Sequence, residues 1–136
     1  MKLLIQTDGA SRGNPGPAAY GFIIYKDGGV LKKEGKILGV TTNNIAEYTG
    51  LVKALEYLAD EILAGEVEEL AIEADSQLMI RQLEGKYKVK NEGLKGLFGK
   101  INTMLIEYNN VTFNHIFREF NKEADLLGNL ALDGKI

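Results

Sequence analysis

Residues 7–17 read TDGASRGNPGP, directly after the apolar opening MKLLIQ. An aspartate, Asp8, stands where a buried strand is expected to end, and Gly9, Ala10, Gly13 and Gly16 crowd behind it. Small residues let a backbone bend sharply and come close to another molecule. Alone, Asp-Gly after an apolar run marks an ordinary turn. The rest of the chain decides what it means here.

Working outward, KLLIQT (2–7) is a short apolar run of the kind found in a central strand. AAYGFIIYK (18–26) is rich in β-branched and aromatic residues and runs into Asp27-Gly28-Gly29, a hairpin signal. VLKKEGKILG (30–39) is then the return strand of a three-stranded meander. In TTNNIAEYTGLVKALEYLADEIL (41–63), Tyr48, Leu51, Val52, Leu55 and Leu58 recur at helical spacing, with Asn43 or Asn44 as the expected cap. VEELAIEAD (67–75) reads as another buried strand ending at an aspartate, and SQLMIRQLEG as a short helix closed by Gly85. After a polar, basic stretch, KYKVKNEGLKG (86–96), come a helix in LFGKINTMLIEY, a strand in VTFNHIF and a last helix in NKEADLLGNLALD, which Asn121 would cap. Three strands, a helix and then alternating strands and helices predict an α/β fold, a mixed sheet with helices packed on it. No internal repeat or composition break divides the chain, so one domain over 1–136 is expected.

Composition narrows the function classes. There is no cysteine among the 136 residues, which excludes disulfides, thiolate metal sites and cysteine nucleophiles. No run has the signature of a signal peptide or a membrane helix, so a cytoplasmic protein without membrane association is expected. The formal net charge of −3 gives no global attraction to a polyanion. A nucleic acid would have to be held by a local patch or through metal ions.

Of the nineteen carboxylates, four sit in awkward places. Asp8 and Asp75 each end an apolar strand, so parallel neighbours would bring them to one sheet edge, where α/β proteins bind ligands. Glu47 precedes Leu51, Leu55 and Leu58 by one, two and three turns and shares their apolar side. Asp125 falls one turn into the last helix. Singly, Asp75 reads as a helix cap, Asp125 as a complement to the helix dipole and Glu47 as a residue tilted to water. Together they lack cationic partners. Hard divalent cations, Mg²⁺ or Mn²⁺, take oxygen ligands and would supply the missing charge. An all-carboxylate site suits two ions that clamp the attacking and leaving oxygens of a phosphodiester. Backbone amides of Gly9, Ala10 and Ser11 in the glycine-rich turn are candidates to bind phosphate or sugar. A P-loop is excluded for want of Gly-Lys-Ser/Thr. An EF-hand loop from Asp8 is excluded because Ala10 and Ala19 stand where ligands are needed.

The segments TDGASRGNPGPAAYGF, TTNNIAEYTGLVKAL, EADSQLMIRQL and NKEADLLGNLA, in that order and spacing, closely resemble type 1 ribonuclease H, essentially end to end. The resemblance implies a five-stranded mixed sheet, with the second strand antiparallel, flanked by helices. It implies that Asp8, Glu47, Asp75 and Asp125 bind two Mg²⁺ (or Mn²⁺) ions and hydrolyse the RNA strand of an RNA–DNA hybrid, leaving 5′-phosphate and 3′-hydroxyl ends. It further assigns Asn14, Asn43 and Gln77 to the hybrid's minor groove and Thr42 to a DNA-strand phosphate. Short amides suit base edges and the 2′-OH that marks RNA.

Two departures from the family pattern stand out. The chain has no tryptophan, and the basic excursion that many relatives carry between two helices is missing. Lys86, Lys88, Lys90 and Lys95 are left as the concentrated positive patch, with substrate binding expected to be salt-dependent. The single histidine, His115, falls in the strand alternation Val111, Phe113, His115, Phe117, so a packing role is expected for it. Arg118, at the strand exit, is the better candidate to stand by the scissile phosphate and join the catalytic set. The alternatives are a related nuclease that also acts on double-stranded RNA, a strand-transfer domain, and a catalytically weak hybrid- or RNA-binding module. The last would be expected to have lost one of the four carboxylates. A monomer is expected.

Overall fold

The chain opens with three antiparallel strands in the computed structural model, which describes residues 1–136. These are β1 (Lys2–Ser11), β2 (Gly16–Lys26) and β3 (Gly29–Thr41). The β2–β3 hairpin closes on Asp27 and Gly28, both with positive φ (49° and 87°), which is the backbone that two-residue hairpin loops demand. Then follow α1 (Asn43–Glu61), β4 (Glu69–Ala74), α2 (Gln77–Leu83), α3 (Glu92–Leu105), β5 (Val111–His115) and α4 (Lys122–Leu132), with a 3-10 turn at Arg118–Phe120. The sheet order is β3-β2-β1-β4-β5; β1, β4 and β5 are parallel and β2 is antiparallel to β1. This is the five-stranded mixed sheet that the resemblance implies.

The apolar stripe of α1, with Tyr48, Leu51, Val52, Leu55 and Leu58, is buried against Leu3, Ile5, Leu70 and Ile72 of β1 and β4. Each such leucine or isoleucine contributes about 1.5–3 kcal/mol by leaving water. On the opposite face α4 crosses β1, β2 and β3. It sits low because Gly21 has no side chain: a Cβ there would overlap the Ala124 carbonyl.

Several boundaries differ from expectation. β1 does not end at Asp8. Its parallel pairing with β4 stops at Thr7↔Ala74, but its antiparallel pairing with β2 continues to Ser11↔Ala18, so Gly9, Ala10 and Ser11 are strand and not turn. Beyond Thr7 one edge of β1 is therefore open, and Asp8 is the first residue on it. The cap of α1 is Thr42, whose Oγ1 accepts from Ile45 N at 3.2 Å, and not Asn43 or Asn44. Ser76, and not Asp75, caps α2. α3 starts at Glu92, capped by Asn91, well before its apolar run, which places Lys95 on a helix. β5 stops at His115, so Phe117 lies outside the strand. His115 is exposed and meets Phe117 edge-on with ring centroids 6.2 Å apart, so it does not pack in the core as expected.

Candidate active site

The open edge of β1 and the end of β4 present Asp8 and Asp75 side by side, as parallel pairing requires. Two helix starts close over them. α1 comes so near β1 that a Cβ on Gly9 would stand 2.6 Å from Asn43 O and 2.8 Å from Glu47 N. That contact brings Glu47 onto the sheet edge. From the other face, the Asn121 side-chain amide donates to Thr7 O at 3.0 Å and fixes the start of α4, hence Asp125. Asn121 thus occupies the cap position, but its side chain serves β1 rather than the helix. Thr7 also donates through Oγ1 to Glu47 O at 3.3 Å, so this one buried threonine ties both helix starts to β1. Its role was not read from the sequence, where a threonine in an apolar strand looks like a β-former. The signal was its place immediately before Asp8.

Asp8, Gly9, Asn43, Glu47, Asp75, Ser76, Arg118 and Asp125 line one cavity of ≈ 270 Å³ with no hydrophobic residue among them. A more apolar cleft lies between the ends of α1 and α3, and a roomier one lies across β1 and β4, but neither gathers comparable groups. Asp8 and Glu47 are only 7% and 8% exposed. Burial first, then the charges of Asp75 and Glu47 and contact with Asp125, pushes the Asp8 carboxyl up to about 9. Burial first and then Asp75 pushes Glu47 up to about 8, partly offset by the Ser76 hydroxyl. Crowded carboxylates out of water resist ionisation because burial and their mutual repulsion both penalise the charged form.

The donor set fits a hard divalent cation. It is all carboxylate, and Glu47 Oε2 is buried without any hydrogen-bond partner. As the side chains stand, no three of the four close on a single point. Mg²⁺ asks for less than that, since it is held by one or two carboxylates and completes its shell with water and substrate oxygens.

The remaining predicted residues divide. Asn14 Oδ1 accepts from the Asn43 backbone N at 3.2 Å, which sets Asn14 beside Asn43 of the cavity lining and next to Thr42. Gln77 is exposed at the start of α2, next to Ser76 of the lining. Lys86, Lys88 and Lys90 are exposed on the α2–α3 connection, where Lys86 pairs with Glu84; Lys95 pairs with Glu92 on α3. The amides expected on a turn at Gly9–Ser11 lie instead on a strand, along the open edge of β1. Gly9 N donates to Asp8 Oδ1 at 2.9 Å, Ala10 faces Gly128 of α4, and the Ser11 hydroxyl is buried. Small residues stand in this strand because two helices press on it. Arg118 does reach the cavity, with Nε 3.7 Å from Asp75 Oδ2.

A family model described as reverse transcriptase-like matches residues 6–131. The solved structure of RNase H1 from Halobacterium salinarum superposes with a TM-score of 0.88 at 36% identity, covering 98% of this chain and 99% of that one. The chain belongs to the type 1 ribonuclease H family. Another solved ribonuclease H of the type, LC11-RNase H1 in complex with an RNA/DNA hybrid, matches with a TM-score of 0.90 and 42% identity over 97% of both chains. A bifunctional protein of Mycobacterium tuberculosis is 36% identical over 98% of this chain, and the chain spans only 36% of that relative's length. Ribonuclease HI of Halobacterium salinarum is 39% identical over 93% of this chain and 62% of its own. Residues 84–91 alone join α2 to α3.

Proposed function

We propose that residues 1–136 form a single catalytic unit, an endonuclease that hydrolyses the RNA strand of RNA–DNA hybrids with two Mg²⁺ or Mn²⁺ ions, giving 5′-phosphate and 3′-hydroxyl ends. One observation carries the reading: Asp8, Glu47, Asp75 and Asp125, drawn from four separate elements, line one wholly polar cavity in which a buried oxygen of Glu47 lacks a partner. The solved hybrid complex of a relative 42% identical to this chain supports the substrate. Bound among these carboxylates, divalent ions supply Lewis-acid stabilisation of the phosphodiester and activation of water.

The protein's own groups do the rest. The four carboxylates hold the ions in a site that helix starts and sheet edge have already shaped. Arg118 presents a guanidinium to the phosphate from the β5 side. Asn14, Asn43 and Gln77 offer amides to base edges and the 2′-OH, with Thr42 at a DNA phosphate. Lys86, Lys88 and Lys90 extend a salt-sensitive hold on the backbone. Gly9 lets α1 approach, and the Gly9–Ser11 backbone along the open edge of β1 is offered to phosphate or sugar. No helix is long and apolar enough to cross a membrane. We place the protein in the cytoplasm as a monomer.

The test is cleavage of an end-labelled RNA–DNA hybrid with Mg²⁺, Mn²⁺ or chelator, beside single-stranded RNA, duplex RNA and duplex DNA. Metal-dependent cutting of the hybrid's RNA strand, with 5′-phosphate products, is expected. Intact hybrid at millimolar metal overturns the reading.

A further inference from the structure

Phe117 and Phe120 bracket the 3-10 turn that carries Arg118, and they are 68% and 66% exposed. The turn is firmly built: Phe120 N donates to Phe117 O at 2.9 Å, and Ile116 N donates to Ala74 O at 3.0 Å. It crosses the sheet edge beside the carboxylates, with Arg118 in the cavity lining and the Asn121 tether immediately after it. His115 adds a third exposed ring, edge-on to Phe117. Nothing in the catalytic reading uses these rings. Phe117 and Phe120 are the most exposed phenylalanine or tyrosine rings of the chain, and they flank the arginine of the cavity lining.

We infer that Phe117 and Phe120 form a stacking platform for unpaired RNA bases that run on from the hybrid. The inference rests on the proposed function for its choice of strand, since the strand lying over the carboxylates is the RNA. The choice of unpaired bases follows from chemistry. In a duplex the base faces are covered by their neighbours, so aromatic side chains find free π-faces only on single strands. Arg118, 86% exposed and flanked in sequence by Phe117 and the exposed Glu119, reaches the cavity lining and supplies the cation that a backbone phosphate needs as the strand passes. The α2–α3 connection also carries an exposed ring, Tyr87, beside its lysines, but only the 117–120 turn contributes a residue, Arg118, to the cavity lining.

The experiment compares Kd for three hybrids, measured by fluorescence anisotropy in chelator. One is blunt, one carries an unpaired RNA arm, and one carries the same arm with abasic sugars in place of nucleotides. Omitting divalent ions separates binding from cleavage, and repulsion from the carboxylates cancels in the ratio between arms. The base-bearing arm is expected to bind about fivefold or more tightly than the abasic arm, the low end of what stacking on aromatic rings contributes. That ratio is expected to fall to one in Phe117→Ala with Phe120→Ala, and also with leucine at both positions, which keeps bulk without a ring face. Tyrosine at both positions is expected to restore it. Equal binding of the two arms by the wild-type protein, or an undiminished ratio in the leucine variant, overturns the inference. Absence of metal-dependent cleavage overturns the proposed function instead, whichever way the ratio falls.

Discussion

On one side of the four carboxylates, α1 lies against β1 so closely that Gly9 has no room for a Cβ. On the other, residues 117–120 cross beside the same cavity with all four side chains exposed. The first wall is backbone against backbone and is part of the core's own packing. The second is side chains on a short turn, anchored at its ends and free in between. Substitutions on the first should cost stability and chemistry together, and those on the second should cost chemistry alone.

The sharpest break is at the shared floor. Asp8→Asn is expected to reduce cleavage to the level of the buffer control with the fold intact, because it removes a charged ligand and leaves the volume unchanged. Rates in Mg²⁺ and far-UV circular dichroism check it; full activity would remove the two-ion reading. The same floor sets a pH dependence. Folding raises the carboxyls of Asp8 and Glu47 from 3.8 and 4.5 to about 9 and about 8, so the folded state binds protons more tightly than the unfolded chain. The stability they contribute is complete below about pH 4 and is lost as pH rises through about 8 and 9. In chelator, Tm should fall as pH rises across this range. Millimolar Mg²⁺ or Mn²⁺ should flatten the profile, since ions bind only the folded carboxylate cluster.

Gly9→Ala tests the packed wall. The added methyl must displace α1, and overpacking of this kind costs about 1–3 kcal/mol. Tm and turnover should therefore fall together. Arg118→Ala tests the open wall. Its ion pair with Asp75 is exposed on the arginine side and contributes little stability. Tm should hold while turnover on hybrid drops about tenfold, the size of one lost hydrogen bond to a charged group. A lower Tm in this variant would mean that the turn is structural after all.

The smallest effect is expected at His115. Because the imidazole is exposed, His115→Ala should change stability by less than about 0.5 kcal/mol and leave most of the turnover. Loss of turnover at an unchanged Tm would make His115 the proton-handling group of the site.

The order of elements, the hairpin at Asp27-Gly28 and the four carboxylates were legible in the sequence because each has a local signature. Apolar periodicity marks strands and helices, and a charge on an apolar face stands out. What was not legible depends on contacts between distant segments. Gly9, Ala10 and Ser11 read as a turn, but they are small because α1 and α4 press on a strand that continues along β2 after β4 has stopped. Asn121 read as a cap, and only the fold puts Thr7 O within its reach. His115 kept the strand's alternation, but β5 is an edge strand that ends there, so the pattern persisted where burial did not.

The bond between Asn121 and Thr7 joins residues 114 apart, and it sets a timetable for the nascent chain. β1, β2 and β3 can pair as soon as they are made, but β4 follows much later and α4 last. At a synthesis rate of about 5–20 residues per second, Asp125 emerges on the order of 6 to 23 s after Asp8. Once Asp75 has followed Asp8 and Glu47, the three carboxylates still wait for the helix that closes over them. A half-made chain can meet nucleic acid without the complete set of four carboxylates, because the last of them arrives with the helix that locks the first in place.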